Sequence, residues 1–383
     1  MSTTIDDATT PSLDALPRWI PPRPTTETNL DWADILTVDL SLYDTARDEL
    51  VDTISRALQR DGFFYVVGHG LDPEKLHRQF SISQLTFEGV SQEEKEVHRA
   101  PIAEEGSFIG YKLQKYWEIT NGIRDRIEHY NFYLQQLDPI TRHPKPIQPY
   151  VEEIKAFIAV GWVSLRSSAT LIQGYTPGCS ASRTLPDRRS PWPRRGLPLE
   201  TAPRPEGRPS NDLFRYMIYD PLPTDEAAKT NNVMLNGHTD FETVTILASQ
   251  PVTALQILMP DGKWRYVQHR DNALVINIGD QLSFMSGGLL KGTIHRVVQA
   301  PPDQRRYRRV GVFHFAQLFD GVPLEPLPSK KVQEQGRRIF EERVPTSDEW
   351  HAARVKSYGN AKLVKGDKYD VEYIAGLQVR HWH

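Results

Sequence analysis

The spacing of hydrophobic positions predicts a mixture of helices and strands in the N-terminal half of the chain. Between residues 43 and 60 apolar side chains recur at helical spacing, which indicates an amphipathic helix. Short apolar runs at residues 35–40 and 63–67 predict a strand on each side of that helix. Residues 73–99 return to a helical pattern, so this half is expected to have α/β character.

From residue 213 onward the pattern changes to short β-rich runs separated by turns. Strand runs with turn signals every ten or so residues are typical of an antiparallel sandwich or barrel. Charged helical patterns follow around residues 329–343 and 347–358. The predicted fold class is therefore α+β, with a β core and flanking N-terminal and C-terminal helices. The predicted strand runs are FRYMIY, VMLNGHTD, TVTILAS, LQILMP, KWRYV, ALVINIG, IHRVV and VGVFHF.

Two segments lack the pattern of a packed core. Residues 176–210 contain eight prolines and seven arginines without a hydrophobic period, so they cannot bury enough surface to offset the entropy of ordering. We expect a disordered insertion there, and a solvated linker is a simpler interpretation than an acid-binding segment. Residues 1–33 predict a flexible leader with Trp19 and Ile20 docking on the surface. The predicted organisation is a leader at 1–33, an α/β region at 34–175, the insertion at 176–210, a β core at 211–325 and a helical extension at 326–383.

Composition narrows the class of protein further. The 383 residues include 46 basic and 49 acidic side chains, so a net charge of −3 gives no indication of a nucleic-acid or membrane partner. The lone Cys179 cannot form an internal disulfide. The N-terminus is polar and acidic, unlike a secretory signal, and no apolar run approaches the ~20 residues of a spanning helix. We expect a cytoplasmic location, and the oligomeric state stays unknown.

The sequence His238-Thr239-Asp240 follows a strand-like run and is a candidate metal site. In extended backbone residues i and i+2 point to the same face, so His238 and Asp240 can converge on one ion. A third ligand must come from another strand, and His295 is the best candidate. Two histidines and one carboxylate form the ligand set of non-haem Fe(II) oxygenases, in which open positions admit oxygen and a co-substrate. The alternative is that each histidine is an ordinary hydrogen-bonded residue of a sheet, since the chain has twelve histidines.

The motifs around these residues resemble the Fe(II)/2-oxoglutarate-dependent dioxygenase superfamily, in its isopenicillin N synthase-like branch. The resemblance covers roughly residues 35–135 and 211–325. It implies a double-stranded β-helix (jelly-roll) core, Fe(II) on His238, Asp240 and His295, and 2-oxoglutarate and molecular oxygen as co-substrates. The similar segments are Asp39-Leu40-Ser41, residues 61–70 (DGFFYVVGHG), Gly110-Tyr111, residues 125–128 (DRIE), residues 237–247, Leu255-Gln256, Trp264, residues 274–280 and residues 292–298.

The resemblance also implies a site for 2-oxoglutarate, although the match there is incomplete. The family places an arginine and, two residues later, a serine on one strand to bind the far carboxylate. Alignment of the aromatic end of that strand puts Arg309 at the arginine and Gly311 at the serine, and an alternative register uses Arg306. Arginine suits this role because its planar fork binds a carboxylate bidentately. The family also uses the tyrosine of an Asn-x-Tyr motif to hold the co-substrate, and Ile218-Tyr219-Asp220 does not reproduce that motif. Tyr219 or Tyr216 could substitute for it, and packing is the simpler interpretation of each.

Several other side chains have a functional and a structural interpretation. His314 has the opposite strand parity to Arg309 and is expected to face away from the pocket as a structural residue. His69 is expected to be a turn residue. Trp117, Tyr116 and Phe241 could line a substrate pocket or be ordinary core aromatics.

The resulting hypothesis is an Fe(II)- and 2-oxoglutarate-dependent dioxygenase that oxidises a C–H bond of a small specialised metabolite. The outcome could be hydroxylation, desaturation or cyclisation. Two alternatives remain open from the sequence: an Fe(II)-dependent oxidase that does not use 2-oxoglutarate, and a non-catalytic small-molecule-binding protein. The departure at Gly311 is the reason for the first alternative.

Overall fold

Two β-sheets face each other across the centre of the molecule and form its core. The computed structural model describes residues 16–120, 122–159, 209–341, 343–358 and most of 364–382. The larger sheet has eight strands in the order β1-β2-β12-β9-β14-β7-β6-β3, and the smaller has six in the order β11-β10-β13-β8-β16-β15. The strands are β1 Leu36–Asp39, β2 Phe63–Val67, β3 Gly110–Lys112, β4 Glu118–Thr120, β5 Ile123–Arg124, β6 Ile127–Tyr133, β7 Leu213–Tyr219, β8 Val233–His238, β9 Val244–Ala248, β10 Leu255–Leu258, β11 Trp264–Tyr266, β12 Leu274–Ile278, β13 His295–Val298, β14 Arg309–Ala316, β15 Tyr369–Ile374 and β16 Leu377–Trp382.

Helices flank the two sheets, as the hydrophobic pattern predicts. Residues 151–159 are also helical. Strand pairing is antiparallel throughout both sheets except for β1 and β2, which run parallel. The arrangement confirms the predicted α+β class with a jelly-roll core. The helices are α1 Arg47–Arg60, α2 Pro73–Glu88, α3 Gln92–Val97, α4 Ile102–Glu105, α5 Thr224–Lys229, α6 Asp280–Met285, α7 Lys330–Gln335 and α8 Ser347–Ser357.

The alternation of side chains along β14 separates the interior of the roll from the helix layer. Val310 and Val312 pack in one apolar cluster with Phe80 of α2. Arg309 and Phe313, of the opposite parity, face the space between the two sheets. Because β7 and β14 pair in register, the odd-numbered residues of both strands share the inner face. This inner face carries the candidate site.

The structure corrects the sequence predictions at four places. The helix predicted around residues 329–343 is short, because α7 ends at Gln335 before Gly336. The helix predicted over 73–99 is broken at Gly89 into α2 and α3. The extension at 326–383 is not wholly helical, because its last part forms the hairpin β15–β16, whose end pairs with Gly237 of β8. Residues 16–33 of the predicted leader lie against the domain, where Trp19 stacks on Phe80 at 4.4 Å between ring centroids, whereas Ile20 is exposed.

The predicted insertion at 176–210 lies outside the described residues except for its last two. Ser210, the last of them, forms an isolated β-bridge with Phe319. Within the described part of the chain, no helix is both long and apolar enough to cross a membrane.

Candidate metal centre

His238, Asp240 and His295 meet at one point on the inner face of the smaller sheet. His238 ends β8, and His295, which begins β13, is its direct cross-strand neighbour. The Nε2 atoms of His238 and His295 lie 3.8 and 3.5 Å from Oδ1 of Asp240. One ligand atom from each residue lies within 4.8 Å of the other two. The three side chains that the sequence predicts as ligands are therefore brought together as a group that could hold one metal ion.

Backbone carbonyl groups orient both imidazole rings. Nδ1 of His238 lies 2.8 Å from the carbonyl oxygen of Asn236, and Nδ1 of His295 lies 3.2 Å from that of Thr293. Since the carbonyl can only accept, each Nδ1 carries the proton and donates it. The Nε2 lone pairs are therefore free and point towards Asp240, which is the tautomer that metal coordination requires.

Two neighbouring side chains orient the carboxylate of Asp240. Its Oδ2 atom accepts hydrogen bonds from the Thr245 hydroxyl at 2.5 Å and from the Asn277 amide at 2.7 Å. Thr245 and Asn277 are directly paired on β9 and β12 of the larger sheet. The two bonds occupy Oδ2 and leave Oδ1 to face the histidines, so both sheets contribute to the geometry of the centre.

The electrostatics of the buried group favour the ligand forms of His238 and Asp240. Burial, together with His295, lowers the pKa of His238 to about 3, so its ring is neutral. Burial by itself would raise the pKa of Asp240. The two histidines and the Thr245 hydroxyl lower it by more than that, so the net pKa is lowered and the carboxyl is ionised. Burial lowers the pKa of His295, but Asp240 and the Thr293 carbonyl together outweigh it, so the pKa of His295 is raised above its ordinary value. A neutral imidazole and a carboxylate are the forms that coordinate a metal.

Replacement of Thr245 by valine is expected to weaken metal binding by roughly tenfold to a hundredfold, because residues that hold a metal ligand in place contribute about that much affinity. Valine preserves the volume and removes only the hydroxyl that donates to Asp240. Titration with Fe(II) under anaerobic conditions measures the effect. Thr37→Val, in the exposed part of β1, is the matched control, and an unchanged affinity in Thr245→Val would refute the positioning role.

The three residues open into a cavity with about 520 Å³ of empty space between the sheets. Arg309 and Tyr219, two predicted co-substrate residues, line the same cavity. They are cross-strand partners, and the Arg309 guanidinium lies 5.1 Å from the Tyr219 ring centroid. Nε and Nη1 of Arg309 are buried without a hydrogen-bond partner among the described residues. A buried guanidinium with free donors in a cavity is suited to bind an anionic group there.

Gly311 is explained by the position of Phe313. A Cβ atom added at Gly311 would lie 2.4 Å from Cε2 of Phe313, far inside normal contact distance. The Phe313 ring, which stacks on Phe315, therefore occupies the space next to Arg309 where the family's serine side chain is expected. Glycine at position 311 and phenylalanine at position 313 are thus one structural feature rather than an isolated loss.

A second arginine in the cavity, Arg215 of β7, was not predicted from the sequence. Arg215 is buried, and its Nε donates to Oδ1 of Asn131 at 2.6 Å. Its guanidinium lies 4.7 Å from the ring of Phe315 and 5.3 Å from that of Phe108. A desolvated cation–π contact contributes about 2 kcal/mol, which is less than the several kcal/mol that burial of an ion costs. The signal in the sequence was an arginine with inward parity in the apolar run LFRYMIY.

The remaining predicted residues lie outside the cavity. Arg306 is exposed and donates to the Tyr307 hydroxyl, so the structure does not support the alternative register. His314 borders a separate cavity behind the larger sheet, as its parity predicts. His69 follows Gly68 in a turn, and its Nε2 atom lies 2.9 Å from the carbonyl oxygen of Asn272.

The three aromatic residues considered for the substrate pocket are core residues or neighbours of the core. Trp117 and Phe241 are buried in the same apolar cluster, against which Tyr116 is partly buried. Trp117 contacts Tyr358 at 4.9 Å between ring centroids, and the Tyr358 ring lies 5.7 Å from that of His238. Trp117 is therefore linked to His238 through the ring of Tyr358 and does not line the cavity itself.

A jelly roll with two histidines and one carboxylate at its inner face defines a class of protein, the mononuclear non-haem iron oxygenases. Comparison with known families gives the same class. The model of the 2OG-Fe(II) oxygenase superfamily matches residues 211–315. The model of the N-terminal region of non-haem dioxygenases in morphine synthesis matches residues 35–151. Together the two models cover more than half of the chain.

Curated relatives and solved structures agree with this assignment. A homoarginine-6-hydroxylase of Arabidopsis thaliana is 26% identical over 306 residues, which cover 76% of this chain and 83% of the relative. A flavonol synthase/flavanone 3-hydroxylase of Solanum tuberosum is 28% identical over 264 residues, covering 68% and 67%. The crystal structure of a full-length Neurospora crassa protein in complex with alpha-KG and 5-formyluracil has a TM-score of 0.62 at 17% identity, covering 88% of this chain and 100% of that one. The rice dioxygenase for auxin oxidation has a TM-score of 0.59 at 18% identity, covering 86% and 98%.

The chain belongs to the Fe(II)- and 2-oxoglutarate-dependent dioxygenase superfamily. It is a 2-oxoglutarate-dependent non-haem iron dioxygenase, an oxidoreductase with Fe(II), 2-oxoglutarate and molecular oxygen as cofactor and co-substrates. The comparisons favour this enzyme over the two alternatives that the sequence left open.

Proposed function

We propose that His238, Asp240 and His295 hold the catalytic Fe(II) of this enzyme. The observation that carries the proposal is the convergence of two imidazole Nε2 atoms and one carboxylate oxygen within 4.8 Å, at the edge of the cavity between the sheets. The donor set suits iron, because three protein ligands leave positions for a co-substrate and oxygen. Thr245 and Asn277 keep the carboxylate aimed at the centre.

Arg309 binds the far carboxylate of 2-oxoglutarate, with Tyr219 beside it. Support comes from the two buried nitrogen atoms of Arg309 that have no partner among the described residues. A carboxylate would satisfy both through charge-assisted hydrogen bonds. Arg309 and the three proposed ligands line one cavity, so a single co-substrate molecule can meet both.

The reaction is the oxidation of a C–H bond in a small molecule. With Fe(II), 2-oxoglutarate and oxygen bound, the centre supplies C–H oxidation coupled to decarboxylation of 2-oxoglutarate to succinate. The chain's own part is to exclude water and to orient the substrate. Apolar side chains such as Phe63, Leu247 and Val297 line the cavity and keep it dry. The curated relatives, which include homoarginine hydroxylases and flavonol synthases, support a small specialised metabolite as substrate.

The test is 2-oxoglutarate turnover after anaerobic loading with Fe(II). Succinate formation upon admission of oxygen, stimulated by at least one member of a panel of small metabolites, is the expected result. Product analysis then distinguishes hydroxylation, desaturation and cyclisation. Normal iron binding without any 2-oxoglutarate turnover would contradict the proposal.

Restoring the family's serine is expected to weaken 2-oxoglutarate binding instead of improving it. In Gly311→Ser the new side chain collides with Phe313, and overpacking of this kind costs about 1–3 kcal/mol. The added hydroxyl can return only about 1 kcal/mol net. Equilibrium binding of 2-oxoglutarate to the anaerobic iron-loaded protein measures the difference.

In a variant with a smaller side chain at position 313, Gly311→Ser is expected to strengthen 2-oxoglutarate binding. Phe313→Leu replaces the ring with a smaller side chain. The double variant Gly311→Ser, Phe313→Leu should bind 2-oxoglutarate more tightly than Phe313→Leu alone, because the serine hydroxyl then has space. Gly311→Ala separates the steric effect from that of the hydroxyl. Stronger binding by Gly311→Ser in the unmodified background would show that Phe313 does not occupy the serine's place.

A further inference from the structure

Arg215 is a second buried cation in the cavity that contains the three proposed iron ligands. It pairs with Phe313 of β14, whereas Tyr219 pairs with Arg309, so the two arginines are four positions apart along β7. At ~3.4 Å per residue of an antiparallel strand, this separation is roughly 14 Å. The far carboxylate of one 2-oxoglutarate molecule can be bound by only one of them, which leaves the other for a different ligand.

Arg215 makes no ion pair in the described part of the chain, and the buried carboxyl of Glu242 interacts with it only beyond ion-pair distance. Its one hydrogen bond joins Nε to the neutral amide oxygen of Asn131, and no carboxylate of the described residues lies within ion-pair distance of it. Two buried lysines outside the cavity differ from Arg215 and Arg309 in this respect. Lys112 pairs with Asp125, and Lys95 pairs with Glu128 at 2.9 Å. An unpaired buried guanidinium that faces a cavity indicates that its anion comes from a ligand.

Asn131, which accepts the hydrogen bond from Arg215, is itself held in place by two further contacts. Its Nδ2 donates to the carbonyl oxygen of Phe108 at 2.6 Å and to Nδ1 of His129 at 2.9 Å. The position of Arg215 is therefore fixed by an amide that is itself anchored to the neighbouring strand.

We propose that Arg215 binds a carboxylate of the substrate, so that the enzyme oxidises small organic acids. The inference rests on the proposed function, since it needs Arg309 to take 2-oxoglutarate. Bidentate contact with the Arg215 fork fixes one end of the substrate, and the remainder of the molecule extends through the cavity towards the proposed iron ligands. Neutral compounds of the same shape leave the guanidinium unpaired and bind weakly.

The test compares carboxylic acids with their primary amides, which have nearly the same shape and no charge. Aromatic and aliphatic monocarboxylic acids, each paired with its amide, are titrated into the full chain loaded with Fe(II) and 2-oxoglutarate under anaerobic conditions. We expect at least one acid to bind about tenfold or more tightly than its amide, as a charge-assisted contact predicts. The preference should disappear in Arg215→Gln and persist at a reduced level in Arg215→Lys, which keeps the charge but not the fork.

Arg306→Gln is the matched control, because it removes the same charge from an exposed position and should keep the full preference. If no pair favours the acid, or if Arg215→Gln keeps the preference, the inference is wrong. It is also wrong if Arg215→Gln loses 2-oxoglutarate binding while Arg309→Met retains it, because the two arginines would then have exchanged roles. If Arg215→Gln does not fold, the acid preference of the unmodified chain and its reduction in Arg215→Lys decide the matter. Binding of 2-oxoglutarate to the unmodified chain is measured first, so that failure of the proposed function is recognised separately.

Discussion

Asp240→Ala is expected to abolish stable iron binding and, with it, 2-oxoglutarate turnover. The variant removes the one charged ligand of the three and leaves two neutral imidazoles. If a metal site of a few ligands contributes ~10–16 kcal/mol, one ligand accounts for roughly 3–4 kcal/mol, or a loss in affinity on the order of 10²–10³-fold. The carboxylate cannot be replaced locally, because no other acidic side chain of the described residues joins the group.

Two measurements check this expectation independently of activity. Anaerobic titration gives the Fe(II) affinity directly. The second measurement is the thermal unfolding temperature with and without Mn(II). An ion at a hundred times its Kd stabilises the folded state by about 2.7 kcal/mol. The unmodified chain should show this stabilisation, and Asp240→Ala should not.

Asp52→Ala serves as the control for loss of one carboxylate. Asp52 lies on the exposed face of α1 and pairs with Arg56, an exposed contact that contributes little to stability. This variant should bind iron like the unmodified chain. Retention of tight binding in Asp240→Ala would show that the metal lies elsewhere.

The proposed ligands could be predicted from the sequence because strand parity is a local property. The i, i+2 relation of His238 and Asp240 follows from extended backbone alone, and the same argument places Arg309 and His314 on opposite faces of their strand. His295 required one long-range assumption, which the surrounding motif supported. The pairing of β8 with β13 then placed it opposite His238.

Features that depend on side-chain contacts between distant segments could not be predicted. Arg215 is significant because it is buried next to Asn131, a residue 84 positions away, without an ion pair among the described residues. The sequence shows Gly311 only as the loss of a hydroxyl donor. The steric reason for it, the ring of Phe313 beside it, depends on the three-dimensional structure. The terminal hairpin alternates polar and apolar residues at 369–374, a pattern typical of a strand, so the helical extension predicted over 326–383 is wrong there. The domain boundaries around residues 176–210 stay predictions.

Arg309→Met is expected to weaken 2-oxoglutarate binding on the order of a hundredfold or more. Each hydrogen bond to a charged group contributes about 1.5–3 kcal/mol, and a bidentate contact supplies two. Methionine fills much of the same space, so the loss reflects the guanidinium and not a cavity. Arg306→Met tests the alternative register and should bind 2-oxoglutarate normally, because Arg306 is exposed outside the cavity.

Arg309→Met is expected to be more stable than the unmodified chain when 2-oxoglutarate is absent. In the unmodified chain Nε and Nη1 of Arg309 are buried without a partner, and burial lowers the pKa of this arginine, which shows that its charge is unfavourable there. Removing an uncompensated buried charge relieves a penalty of several kcal/mol. Arg309→Met should therefore unfold at a higher temperature than the unmodified chain without 2-oxoglutarate, and it should gain no stability when 2-oxoglutarate is added. A variant that is destabilised without ligand would mean that Arg309 is a structural residue whose charge is already compensated by the protein.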